Sequence, residues 1–214
     1  MPRWLLILVL GLFATLIWVS ISGSAPSAAT AMTGSGAVVC QPPPQFSDSN
    51  QPLQSEVAGK MPPFRLGAAT VSPLAGFSLQ ARVLAREDYS FGKESDYSPT
   101  DLALGWGPMA EPGMAKRLQV SQGSRFYRYR WGSEGPPMAP DQIISHSANM
   151  HMVPADRIVA RSLARINAGD VVRISGWLVR IDGDDGGHWQ SSLSRDDSGA
   201  GACELIFVCS IQTR

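Results

Sequence analysis

The chain is poor in the residues that build recognisable catalytic and metal centres. It has only three cysteines and three histidines in 214 residues. No CxxC pair is present, so neither a zinc ribbon nor a dithiol redox centre is encoded. No HExxH, GxSxG or complete EF-hand loop occurs. That removes the helix-borne zinc site, the nucleophile elbow and the standard calcium loop. Formal net charge is zero, whereas a protein that coats nucleic acid is normally basic. There is no internal repeat.

What is present begins with a long apolar run. Residues 4–22, WLLILVLGLFATLIWVSIS, carry no charge. A helix rising about 1.5 Å per residue can cross the ~30 Å hydrocarbon layer with such a run. Trp4 and Trp18 sit towards its ends, where amphipathic rings prefer the interface, and Arg3 holds the near end in the cytoplasm. Residues 1–22 are therefore expected to be a single-pass anchor in the cytoplasmic membrane, with the body on the periplasmic side. A signal peptide cleaved after the small residues 29–31 is the alternative, and it sends the body to the periplasm as well. Residues 23–63 are rich in Ser, Ala, Gly and Pro and read as a flexible tether that cannot offset its ordering entropy. The folded domain is expected over 64–214.

Inside that domain strands dominate. Residues 77–88 alternate, with Phe77, Leu79, Ala81 and Val83 on one face. Residues 124–131, SRFYRYRW, alternate too and place Arg125, Tyr127, Tyr129 and Trp131 together. Residues 170–181 form a β-branched strand in which Gly176 suggests a bulge or bend. The acidic turn 182–187 leads to a returning strand at 188–194, and 203–211 is a buried last strand. One helix is expected over 154–167. Pro154 and Asp156 suit its first turn, and Val159, Leu163 and Ile166 form its apolar stripe. Arg157, Arg161 and Arg165 fall on the opposite side. The fold class is α+β: a small, mostly antiparallel sheet with one amphipathic helix. A partly open barrel of the OB type is one way such a sheet closes.

Few residues invite a chemical reading. His146 and His151 lie five apart, in SHSANMHMVPADR. In a helix that spacing separates the side chains by about 140°, at about 100° per residue. In a strand it puts them on opposite faces. Neither element brings both imidazoles to one ion, even with Met150 and Met152 beside them as soft ligands for copper. The stretch reads first as an ordered loop entering the helix. In 188–204, His188, Ser192, Asp196, Asp197 and Cys203 have the types of a nucleophile, base and orienter. Yet His188 and Ser192 stand about 13 Å apart along a strand. His146, His151, Ser192 and Asp196 remain the candidate catalytic residues, should the 146–151 and 188–204 segments meet in one cleft. Asp182, Asp184 and Asp185 could face calcium, but read more simply as a solvated turn. No metal and no cofactor is expected. Cys203 and Cys209 are too far apart on one strand to bond each other, and Cys40 could pair with either or with another chain. An odd count leaves one thiol without an intramolecular partner. The three helix arginines could face solvent or an anionic lipid or polymer of the envelope.

Four segments, LGWGPM (104–109), VSQGSRFYRYRW (120–131), HSANMHMVPA (146–155) and SSLSRDDSGAGACE (191–204), together resemble a family of proteobacterial envelope proteins without an assigned activity. The resemblance covers most of 102–209. It implies a bacterial envelope location and brings no catalytic residue. The function expected from all of this is a membrane-anchored extracytoplasmic binding or structural domain. Its partners would be the membrane, through the amino-terminal helix, and an envelope protein or anionic polymer rather than nucleic acid. The alternative is an envelope enzyme, a hydrolase or metal-dependent, using the two segments named above.

Overall fold

The alternation over 77–88 belongs to a much longer strand. The computed structural model describes residues 38–43 and 51–214, so the expected anchor over 1–22 lies outside the described residues. These residues form ten strands: β1 (Leu53–Ser55), β2 (Phe64–Leu66), β3 (Ala69–Asp88), β4 (Thr100–Gly105), β5 (Ser121–Gly123), β6 (Phe126–Arg128), β7 (Ser147–Pro154), β8 (Val171–Gly183), β9 (His188–Gln190) and β10 (Glu204–Thr213), counted among the described residues. Among the described residues four short helices join them: α1 (Lys93–Tyr97), α2 (Met114–Arg117), α3 (Pro140–Ser145) and α4 (Arg157–Leu163), with a 3-10 turn at Gly107–Ala110. Among the described residues no helix is long and apolar enough to cross a membrane. The fold is mixed α+β and mostly sheet.

The sheet is partly ring-like. Its path runs β3–β4–β7–β10–β8, and β8 pairs back onto β3. Every pair in the ring is antiparallel except β7 with β10, which is parallel. β3 can serve two neighbours at different heights because its register slips between Pro73 and Ala75 and again between Val83 and Ala85. Each slip adds local twist and bends the strand. The bend expected at Gly176 is a close approach, with the bulge on the facing strand. The register of β10 slips between Val208 and Ser210, and a Cβ on Gly176 would run into the Phe207 carbonyl.

Three apolar clusters result. Phe77, Leu79, Leu102, Leu104, Met150, Met152, Ile174 and Ile206 pack inside the ring. Val159, Leu163 and Ile166 of the helical segment join the same cluster, as the stripe predicts, while Arg157, Arg161 and Arg165 are exposed. The helix is shorter than 154–167. Asp156 caps it, accepting from the amides of Ile158 and Val159 at 2.6 and 2.8 Å. Arg86 of β3 reaches over to donate to the carbonyls of Leu163 and Ile166, at and just beyond the helix's carboxyl end.

The second cluster corrects the expected tether. Trp177, Val179, Leu205, Phe207 and Met61 pack outside β8 and β10, with Val38 and Cys40 against them. The Trp177 indole donates to the Gln41 carbonyl at 2.8 Å, and Cys40 is disulfide-bonded to Cys209 across a Cα separation of 5.2 Å. β1, also within 23–63, pairs with Ser78, Phe77 and Gly76 of β3. Backbone edge pairing and a cross-link hold these residues, so they need no apolar periodicity of their own. The third cluster, Met109, Met114, Leu118 and Ile143 with Ala103, covers the outer face of β4.

The stretch around the two histidines is the other correction. Instead of a loop, 147–154 is β7, buried along its whole length. Ala148, Met150 and Met152 enter the ring, while on the other face Ser147 and Asn149 meet residues of 107–145, His151 packs on Trp189, and Val153 joins the second cluster. A strand covered on both faces loses the apolar–polar alternation that would announce it. Likewise 124–131 is not one strand. β5 and β6 form a separate hairpin that turns at Ser124 and Arg125, both with positive φ (53° and 67°).

Candidate functional site

The outer face of β4 and β7 is polar where it is covered most completely. Asp101 stands opposite His151, and Ala103 opposite Asn149. Asp101 is fully buried, with Oδ1 2.9 Å from His151 Nδ1 and 2.8 Å from Arg125 Nη1. Asn149 donates to Asp101 Oδ2 at 3.3 Å and to the Arg125 carbonyl at 3.0 Å, and accepts from Gln122 at 2.7 Å. The Arg125 guanidinium also donates to the Ser98 carbonyl and lies 3.8 Å from the centre of the Tyr89 ring. Trp189 of β9 packs on the His151 ring, centroids 4.7 Å apart.

The β5–β6 turn explains how Arg125 gets there. A two-residue hairpin loop with both residues at positive φ is a type I′ turn, a place for Asn or Gly. Ser124 and Arg125 occupy it at a steric cost. The Tyr89 hydroxyl accepts from the Arg125 amide at 3.0 Å and helps hold the turn. The strained backbone delivers a cation to a buried carboxylate that would otherwise be uncompensated.

Beside this network lies a cavity of about 340 Å³, bounded by β6, β7 and the loop from 191 to 203. Tyr127, Tyr129, Ile144 and Ala148 make its apolar wall, and Asn149, Arg195, Asp197, Cys203 and Glu204 its polar groups. The Tyr127 hydroxyl is 2.5 Å from Ser147 Oγ, which donates to the Ile143 carbonyl. Burial raises the Tyr127 phenol, so it stays protonated. Glu204 is 1% exposed. Burial pushes its carboxyl up to about 8, against the opposing pull of Arg195. Arg195 Nη2 lies 3.2 Å from Glu204 Oε1, while Arg195 Nη1 and Glu204 Oε2 are buried without a hydrogen-bond partner among the described residues. Burial pushes the free Cys203 thiol up to about 11, so it is not the thiolate that nucleophilic chemistry requires.

The structure brings the two suspected segments together but not the suspected residues. Residues 147–149 and 195–204 face each other across the cavity. His146 caps α3, with Nδ1 2.9 Å from the Gln142 carbonyl and Nε2 3.3 Å from the Gln51 amide. His151 is buried, with Nδ1 2.9 Å from Asp101 Oδ1 and its ring against Trp189. Ser192 donates to Asp197 at 2.6 Å, which stabilises its own loop. Asp196 is exposed, with its amide on Ser194 Oγ at 3.1 Å. None of the four lines the cavity. The acidic turn is neutralised side chain by side chain: Arg180 pairs with Asp182, Arg65 with Asp184 and Lys93 with Asp185. Among the described residues no group of three His, Cys, Asp or Glu could hold a metal ion.

Sequence reasoning missed Asp101, Arg195 and Glu204. Glu204 had a signal: it is the single charged residue at the head of the apolar run ELIFV. Asp101 and Arg195 had none, because their partners lie on other elements. No family model, curated protein or solved structure matches the chain.

Proposed function

We propose that the chain is a membrane-tethered, extracytoplasmic binding module built on an OB-type barrel. Its ligand sits in the cavity between β6, β7 and the 191–203 loop. The OB reading is supported by connectivity. Numbering the five ring strands I to V in chain order gives the circuit I–II–III–V–IV–I, with III and V parallel and α4 between III and IV. In such barrels ligands meet the face of strands II and III beside the loop between IV and V. The cavity lies against strand III and the IV–V loop, and that position is the observation that carries the proposal. Fold-level analogy supplies the location only, so the ligand must come from the residues. An extracytoplasmic setting is supported by the apolar run at 4–22 and by the Cys40–Cys209 bond, since disulfides persist in oxidising compartments. The exposed arginines of α4 suit an anionic surface beside the tether.

Two measurements test this. Alkaline phosphatase fused after Arg214 is active if the body lies outside the cytoplasm; an inactive fusion overturns the topology. Full-length protein in lipid nanodiscs, screened by ligand-observed NMR against small fragments, yields binders that Ser198→Trp displaces by filling the cavity mouth. No binders, or binders indifferent to that substitution, overturn the binding reading.

A further inference from the structure

Resting on the binding reading, we infer that the cavity takes an uncharged carbohydrate chain: one sugar hydroxyl bridges Arg195 and Glu204, and the sugar rings continue along Tyr127, Tyr129 and Trp131.

Two side chains that line the cavity carry unpartnered polar atoms. Arg195 Nη1 is a buried donor without an acceptor, and Glu204 Oε2 is a buried oxygen without a partner among the described residues. Such atoms are costly unless something completes them. They flank the single Arg195–Glu204 contact, so a group lying across that contact must satisfy both. A hydroxyl does so with one atom. It accepts from the guanidinium and donates to a carboxylate, or accepts from a carboxylic acid when Glu204 is protonated. A peptide group offers its donor and acceptor from separate atoms pointing opposite ways, so it does not complete both with one atom.

Charge argues the same way. Arg128, Arg195, Asp197 and Glu204 all line the cavity. With two charges of each sign on the lining, neither a cation nor an anion is favoured over an uncharged ligand. The aromatic ladder adds length. Tyr127 and Tyr129 have centroids 5.6 Å apart, and Tyr129 and Trp131 are stacked at 6.2 Å with Trp131 38% exposed. The electron-rich face of an aromatic ring attracts the weakly positive C–H groups of a sugar ring, and a row of such faces accommodates successive sugars.

The test is calorimetry on full-length protein in nanodiscs with cellotetraose, maltotetraose and chitotetraose, each beside its disaccharide. Tetraglycine and tetraglutamate serve as peptide and anion controls. At least one tetrasaccharide should bind. Glu204→Gln should weaken it about tenfold, the loss of one buried hydrogen bond. Trp131→Ala, an exposed position where folding is not at risk, should weaken the tetrasaccharide about tenfold and leave the disaccharide within about twofold. The inference is overturned by sugar binding that neither substitution changes, or by tetraglycine or tetraglutamate binding in place of the sugars. If no sugar binds while cavity-directed fragments do, the ligand class falls and the binding module stands. If fragments also fail, the underlying reading has fallen.

Discussion

Glu204 holds a proton that the unfolded chain would release. Its ordinary value is 4.5 and burial carries it to about 8 in the fold. Between these values the folded protein binds more protons than the unfolded one, so stability falls as pH rises through that window and levels off above it. Thermal melts of the wild type should decline from about pH 5 to about pH 8. Glu204→Gln should flatten that decline, by an amount on the order of a few kcal/mol at the alkaline end. An equal slope in both proteins would assign the pH dependence elsewhere. Arg125 is the second residue that matters far beyond its position. Arg125→Ala leaves the buried Asp101 carboxylate without its cation and should cost about 3–5 kcal/mol in urea unfolding. In a linear reading Glu204 is marked only as the one charge at the head of ELIFV, and the role of Arg125 is not marked at all. Asp101 and Arg125 are joined only when a hairpin from one layer meets a strand of another, and nothing local to either residue encodes that meeting.

At the scale of elements, visibility followed solvent. One side of α4 faces water, so its apolar stripe and its arginines separate cleanly, and Val159, Leu163 and Ile166 are legible as core. Its stability is correspondingly simple to perturb. Asp156→Ala should cost about 1 kcal/mol by removing the cap, and Leu163→Ala about 2–5 kcal/mol by opening a cavity inside the ring. β7 has no wet side, so its SANMHMVP sequence passed for a loop although every residue is buried. The β5–β6 hairpin was obscured for a different reason. Its turn uses Ser124 and Arg125 rather than Asn and Gly, and the alternation runs straight through them. Ser124→Gly should therefore stabilise the protein by about 0.5–1 kcal/mol, since glycine takes that conformation without a Cβ clash. A loss of stability in the same unfolding assay would mean that the serine contributes more than its conformation costs.

For the molecule as a whole, a sheet-rich domain with one amphipathic helix was readable from periodicity. The closure of the sheet was not, because it joins 69–82 to 171–183, and no local pattern reports a pairing over that distance. The cavity is a product of the same closure. It exists where two segments suspected for other reasons are carried to facing positions. The Cys40–Cys209 link spans 169 residues of chain, and fixing so long a loop constrains the unfolded state strongly. Cys40→Ser should cost about 2–5 kcal/mol, measured against the oxidised wild type, and the same loss should follow reduction.

That link also decides how the protein bears force. A pull on the chain ahead of residue 40 passes through sulfur to Cys209, close to the end of the last strand. Under a pull from both termini, the chain between the two cysteines cannot lengthen. Beyond Cys209 the force falls on the end of β10, where residues 210–213 pair with β8, so that edge of the ring is what such a pull would strip first.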